Sequence, residues 1–209
     1  MAVLRFPPDE HVTDGETEIR MKLGALGIDY ERWDLSRVDA DAPAEAVLAA
    51  YAEEIEAMKQ RGGYVTADVI DVTPETPNLD AMLARFDKEH THSEDEVRFI
   101  LAGRGIFFLH LGGAGPDGTK PDATSLGTTD SAEIVVSVEV GPGDMLRVPR
   151  GTTHWFTLCE ERRIRAIRWF QKTNGWTPEY TGSGMDRDFQ PLCFGPAYFG
   201  PRTTGSMLV

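Results

Sequence analysis

The sequence predicts a mainly β protein, a small barrel or jelly roll preceded by a few flanking helices. Two observations carry this. From residue 96 to residue 170, short runs of β-branched and aromatic residues recur, each closed by Gly or Pro. Helix-period apolar spacing, by contrast, is confined to the first third of the chain. A length of 209 residues suits one core with a small flanking extension.

The elements follow in order. Glu16 to Leu26 carries Ile19, Met21, Leu23 and Leu26 among charged residues, a weak amphipathic helix ended near Gly27. Pro43 to Gln60 reads as one longer helix, with Val47, Leu48, Tyr51, Ile55 and Met58 on a single face. Asp41 is its expected N-cap, Pro43 lies in its first turn, and Gly62-Gly63 stops it. Tyr64 to Val72 reads as a strand and Leu79 to Phe86 as a short helix. Strands are then expected over 97–101, 105–111, 133–140, 145–148, 153–158 and 163–170. Residues 112–132 hold almost no large apolar side chains and read as a loop inserted between two strands. The expected organisation is a single domain over 1–209: helical segment about 14–62, barrel about 64–182, extension 183–209. The extension is rich in Pro and Gly and is expected to drape over the surface or stay disordered.

Charge and composition exclude several function classes. A net charge of −13 argues against nucleic-acid binding, which needs a clustered cationic surface. Arg162, Arg163, Arg165 and Arg168 interleave with Ile164 and Ile167, the pattern of a strand with a solvated face. No run of about 18 apolar residues exists, so no membrane span is expected. MAVLRFPPDE lacks the apolar core of a signal peptide, so a cytoplasmic protein is expected. The two cysteines, Cys159 and Cys193, lack metal-ligand spacing and read as reduced thiols, with a disulfide between them the less favoured alternative.

The chemistry concentrates at Glu89-His90-Thr91-His92-Ser93-Glu94-Asp95-Glu96. In extended chain, alternate side chains share a face, so His90 and His92 can grip one ion together. Glu96, four residues on, can add a carboxylate oxygen. Two imidazoles and a carboxylate suit a redox-active first-row metal with open coordination positions. His154 opens a strand after the Pro149-Arg150-Gly151 turn and is the candidate fourth ligand. His11 and His110 have no such context and read as ordinary structural or surface histidines. Arg98 shares the face of Glu96 by the same alternation, where it is either a surface residue or a charge beside the ion.

These residues resemble the two motifs of the cupin superfamily. His90, His92, Glu96 and Gly103 match the first motif; Gly143, Pro149, Gly151 and His154 match the second. Ala84 replaces the Gly that opens the general pattern, and Leu158 the Asn that closes it, but neither is a ligand position. The text around the motifs is similar to the acireductone dioxygenase family: Glu89-His90-Thr91-His92, Asp95-Glu96-Val97-Arg98-Phe99, His154-Trp155-Phe156, Ala166-Ile167-Arg168 and Gly175-Trp176. The resemblance runs from about Ile28 to Gly182 and is interrupted by the 112–132 loop.

The resemblance implies a cupin-type β-barrel that binds one Fe2+ or Ni2+ through His90, His92, Glu96 and His154. It implies oxidation of 1,2-dihydroxy-3-keto-5-methylthiopentene by O2 in methionine salvage. With Fe2+ the products would be 4-methylthio-2-oxobutanoate and formate; with Ni2+, methylthiopropionate, CO and formate. Arg98 would favour the substrate dianion, Asp95 would relay changes in the ligand sphere, and Glu89 would assist metal incorporation. Phe86, Phe156 and Trp176 would wall the methylthio tail. The partners expected are the small acireductone and O2, with no nucleic acid or membrane, and the chain is expected to be a monomer. Another metal-dependent cupin dioxygenase or isomerase, or a non-enzymatic metal- or ligand-binding cupin, would keep the ligands and change the chemistry.

Overall fold

Strand alternation in this chain is written on both faces, and the computed structural model shows why. It describes residues 2–6, 11–111, 134–172 and 176–195. Two antiparallel sheets face each other, and each is covered again on its outer side. The first sheet takes the order β12-β5-β10-β7-β8-β1-β2. Its strands are β1 (Val3–Phe6), β2 (His11–Thr13), β5 (His90–Thr91), β7 (Gly105–Leu111), β8 (Ile134–Val140), β10 (Thr153–Leu158) and β12 (Glu179–Tyr180). The second, ordered β3-β9-β6-β11-β4, holds β3 (Asp29–Arg32), β4 (Thr66–Val72), β6 (Glu96–Gly103), β9 (Asp144–Val148) and β11 (Ile164–Phe170).

The inner faces meet in a core that includes Ile100, Phe107, Leu109, Val138, Leu146 and Phe156. The opposite face of the second sheet buries Val97, Phe99, Leu101, Ile167 and Trp169 against helical residues Val47, Tyr51, Ile55 and Met58. The outer face of the first sheet buries Ile106, Phe108, Val135 and Trp155 under Met185 and Phe189. A strand covered on both faces reads as a nearly continuous apolar run, which is what 97–101 and 105–109 show.

The helices are α1 (Glu16–Ala25), α2 (Ala44–Ala50), α3 (Ala52–Gly62) and α4 (Leu79–Leu83). The single helix expected over 43–60 is two, hinged at Tyr51 with φ −109 and ψ 20. The hydroxyl of Tyr51 donates to Asp34 O at 2.7 Å, so a tertiary contact sets the bend that periodicity alone does not reveal. Pro43, in extended conformation, stands at the start of α2; the expected cap Asp41 instead pairs with Arg163. Gly63 ends α3 at φ +67, a left-handed position suited to Gly.

Two further expectations are corrected. Arg165 is not on a solvated face: it is 5% exposed and donates to the carbonyls of Ala40 and Ala42. The loop before α2 folds over it and supplies acceptors, which lets a guanidinium be buried. Cys159 and Cys193 are not thiols but a disulfide, with Cα atoms 5.9 Å apart. A separation of 34 residues carries no pairing signal. The pair forms because the chain after β12 turns back across the first sheet. The 112–132 loop lies outside the described residues, as do residues 196–209 of the extension. No helix among the described residues is long and apolar enough to cross a membrane.

Candidate metal centre

β5 is two residues long, and its partner β10 sets His154 directly opposite His90. The ring centroids lie 4.6 Å apart, with His92 at 4.7 Å from His90 and 5.2 Å from His154. Glu96 enters from the first residue of β6, in the facing sheet. One ligand atom from each of these four residues falls within 4.8 Å of the others, and all four side chains are buried.

Each imidazole is locked through its Nδ1. That atom lies 2.6 Å from Lys88 O in His90, 3.0 Å from Thr177 O in His92 and 2.7 Å from Thr152 O in His154. A carbonyl can only accept, so each Nδ1 carries a proton and each Nε2 is turned inward, where it can offer a lone pair to an ion. The Nε2 atoms of His90 and His92 are buried without a hydrogen-bond partner. Glu96 Oε2 lies 3.2 Å from His92 Nε2 and 3.1 Å from His154 Nε2. Lone pairs converging on a buried carboxylate need a cation between them, and this donor set fits a divalent first-row metal.

The electrostatics agree. Burial pushes the Glu96 carboxyl up, but the Arg98 guanidinium and the two imidazoles outweigh it and hold the group well below the usual carboxylate range. Burial, reinforced by neighbouring His154, pushes His90 down to about 4, which keeps it in the neutral, metal-binding form. His92 moves up, because Glu96 overcomes the burial penalty and a proton can stand where a metal would.

Glu96 Oε1 accepts from Arg98 Nε at 2.6 Å, and the ion pair also brings Arg98 Nη2 within 2.6 Å of it. The Arg98 guanidinium sits 4.9 Å from the Phe156 ring, 5.2 Å from Trp176 and 5.7 Å from Phe107. Trp176 stacks on His92 at 6.2 Å, and its Nε1 donates to Asp95 O. Phe86 lies 5.9 Å from His90 and 6.4 Å from His92. Phe86 and Trp176 thus lie beside ligand imidazoles, and Phe156 and Trp176 beside Arg98.

Asp95 and Glu89 point elsewhere. The Asp95 carboxylate accepts from Tyr64 Oη, Arg147 Nε and the Arg150 amide, tying the ligand-bearing turn to the 149–151 turn. Glu89 accepts from Thr181 and Ser183 and pairs with His110 Nδ1 at 2.6 Å. His110, read as an ordinary histidine, is thus one member of a half-buried polar cluster around the buried Glu89 beside β5. Neither carboxylate touches a ligand imidazole; backbone carbonyls do that work.

Arg168, expected on a solvated strand face, instead lies half-buried beside the site. It pairs across the ladder with Arg98, is clamped by both oxygens of Asp68 and lies 5.7 Å from the Trp176 ring. The alternation Ile164, Ala166, Arg168, Phe170 was the available signal for its inward face.

Two antiparallel sheets enclosing three imidazoles and a carboxylate define a cupin-type metal-binding protein. Its ARD/ARD' family model matches residues 8–114 and 128–178, leaving out 115–127 and everything beyond 178. The chain belongs to that family. It is 38% identical over 182 residues to an acireductone dioxygenase of Synechococcus sp. (strain CC9902), covering 87% of each chain. It is 36% identical over 199 residues to that of Methylococcus capsulatus (strain ATCC 33009 / NCIMB 11132 / Bath), covering 92% of this chain and 96% of that one. Among solved structures, it resembles the acireductone dioxygenase from Bacillus anthracis with cadmium ion in its active center, with 34% identity and a TM-score of 0.71. That match covers 86% of this chain and 98% of the other.

Proposed function

We propose that this chain is an acireductone dioxygenase whose single divalent ion, Fe2+ or Ni2+, is held by His90, His92, Glu96 and His154. The observation that carries the reading is the set of buried Nε2 atoms, oriented by carbonyls and aimed at one carboxylate. Family membership supplies the substrate, 1,2-dihydroxy-3-keto-5-methylthiopentene, and O2. A metal bound there would lower the pKa of the enediol hydroxyls and hold the resulting anion.

The remaining work falls to the chain's own side chains. Arg98, fixed by Glu96 and by aromatic faces, keeps a positive charge where the substrate gains its second negative one. Phe86, Phe156 and Trp176 exclude water and give the methylthio tail an apolar wall. Asp95 joins the ligand-bearing turn to Arg147 and the 149–151 turn, so a shift in either is felt at the other. Glu89 holds the stretch beside His90. We place this activity in a cytoplasmic, single-domain monomer that acts on small molecules, without nucleic acid or membrane.

Fe2+ would direct the reaction to 4-methylthio-2-oxobutanoate and formate, and Ni2+ to methylthiopropionate, CO and formate. Protein loaded with each ion in turn, given acireductone and O2, tests this by oxygen uptake and NMR of the products. Metal-dependent uptake with either product set is expected. No uptake with either ion would overturn the reading.

A further inference from the structure

After Trp176 the chain does two things in succession. Its first stretch forms one wall of the metal centre. Thr177 O fixes the tautomer of His92. Glu179 and Tyr180 pair with Thr91 and His90, so β12 is one of the two strands that hold β5 among the described residues. The amide of Thr181 donates to Glu89 O, and the hydroxyls of Thr181 and Ser183 donate to the Glu89 carboxylate. β12 itself contributes only two residues of pairing at the sheet edge, and both are exposed. So short an edge strand frays unless something holds it farther on.

The second stretch supplies that hold. Met185 and Phe189 cover the outer face of the first sheet, with the Phe189 ring 6.0 Å from that of Trp155. The amides of Phe194 and Gly195 donate to Glu139. Cys193 is bonded to Cys159, the residue after the strand that bears His154. One covalent link therefore closes a loop that starts at a ligand strand and ends beside it.

We propose that the Cys159–Cys193 disulfide positions the metal ligands at a distance, as a redox-sensitive clasp on the segment 176–195. The inference rests on the metal-centre reading above. When closed, the clasp holds Thr177 and β12 against His92 and His90. A cellular dithiol opens it: the Cys159–Cys193 bond breaks, each sulfur gains a proton, and the dithiol is oxidised to its own disulfide. Release of the far end then loosens the carbonyl on His92 and the strand beside His90. Disulfides in reducing compartments are usually transient and regulatory, which fits a clasp better than a permanent staple.

The test compares wild type with a Cys159→Ser/Cys193→Ser double variant, both loaded with Ni(II). Three quantities are measured: free thiols in air-equilibrated protein, the rate of Ni(II) release to a chelator, and amide hydrogen exchange with and without metal. Expected are no free thiols in wild type, release from the variant about 10- to 100-fold faster, and raised exchange at 177–182 with β6 unchanged. Should the variant not fold, wild type reduced by a phosphine provides the same comparison. Two free thiols in wild type, or unchanged release together with unchanged exchange at 177–182, would overturn the proposal. A wild type that binds no Ni(II) sinks the metal-centre reading instead, and exchange in the metal-free protein still decides whether the clasp orders 177–182.

Discussion

Replacing Glu96 by Gln separates two roles that one carboxylate combines. Glu96 is 2% exposed; its Oε1 accepts from Arg98 Nε at 2.6 Å, and its Oε2 stands 3.1 and 3.2 Å from two imidazole Nε2 atoms. A glutamine keeps the volume and can still accept from Arg98 through its amide oxygen. Its NH2 then turns to the imidazoles and donates to the lone pairs a metal would take. Arg98 becomes a buried cation facing a neutral partner. Breaking a buried pair costs about 3–5 kcal/mol, and the retained hydrogen bonds put this case near the lower end. At about 2–4 °C per kcal/mol for a chain of this size, the metal-free variant should melt roughly 6–12 °C below wild type. Metal binding suffers more. One unit charge at about 4 Å in an effective dielectric of about 20 is worth about 4 kcal/mol per charge on the ion, so the Kd for Ni(II) should rise at least about 1,000-fold. Calorimetric titration of metal-free protein and a thermal melt give both numbers. A lowered Tm with a Kd within tenfold of wild type would refute the reasoning and leave Glu96 as a mere counter-ion to Arg98.

Other outcomes follow from the same geometry. Arg98→Gln should keep the metal while kcat/KM falls by about 100- to 1,000-fold, the usual loss when a charge-stabilising donor goes; unchanged turnover would return Arg98 to a structural role. Gly105→Ala would set a Cβ 2.3 Å from Phe156 Cζ and 2.9 Å from Thr157 O, so it should cost about 1–3 kcal/mol in a denaturant melt and disturb the wall beside Arg98. Tyr64→Phe removes the 2.9 Å hydroxyl donor to Asp95, leaves Arg147 and Arg150 in place, and should lower stability by only about 1 kcal/mol.

Legibility in the sequence tracked how local each feature is. The strands from 96 to 170 are visible because their β-branched and aromatic runs and turn residues are local, and His90, His92, Glu96 and Arg98 are visible because period two places them together. The short strands β1, β2, β3 and β12 have two to four residues, too few for a period to emerge. The hinge at Tyr51 and the burial of Arg165 depend on residues 34 and 40–42, remote in sequence from both. The carbonyls of Lys88, Thr152 and Thr177 set the ligand tautomers, yet a backbone oxygen leaves no mark on residue identity. The disulfide is the less favoured reading of the sequence for a related reason: its pairing follows from the path of the segment after β12, which lacks any periodic signal.

The central claim is that three imidazoles and Glu96 bind one divalent ion. X-ray absorption of Ni(II)-loaded protein tests it directly, with wild type and His154→Ala compared at known metal content. The account predicts one ion per chain, with scattering from three imidazoles in wild type and two in the variant. An imidazole count that does not change on loss of His154, or a substoichiometric ion with mainly oxygen neighbours, would contradict it.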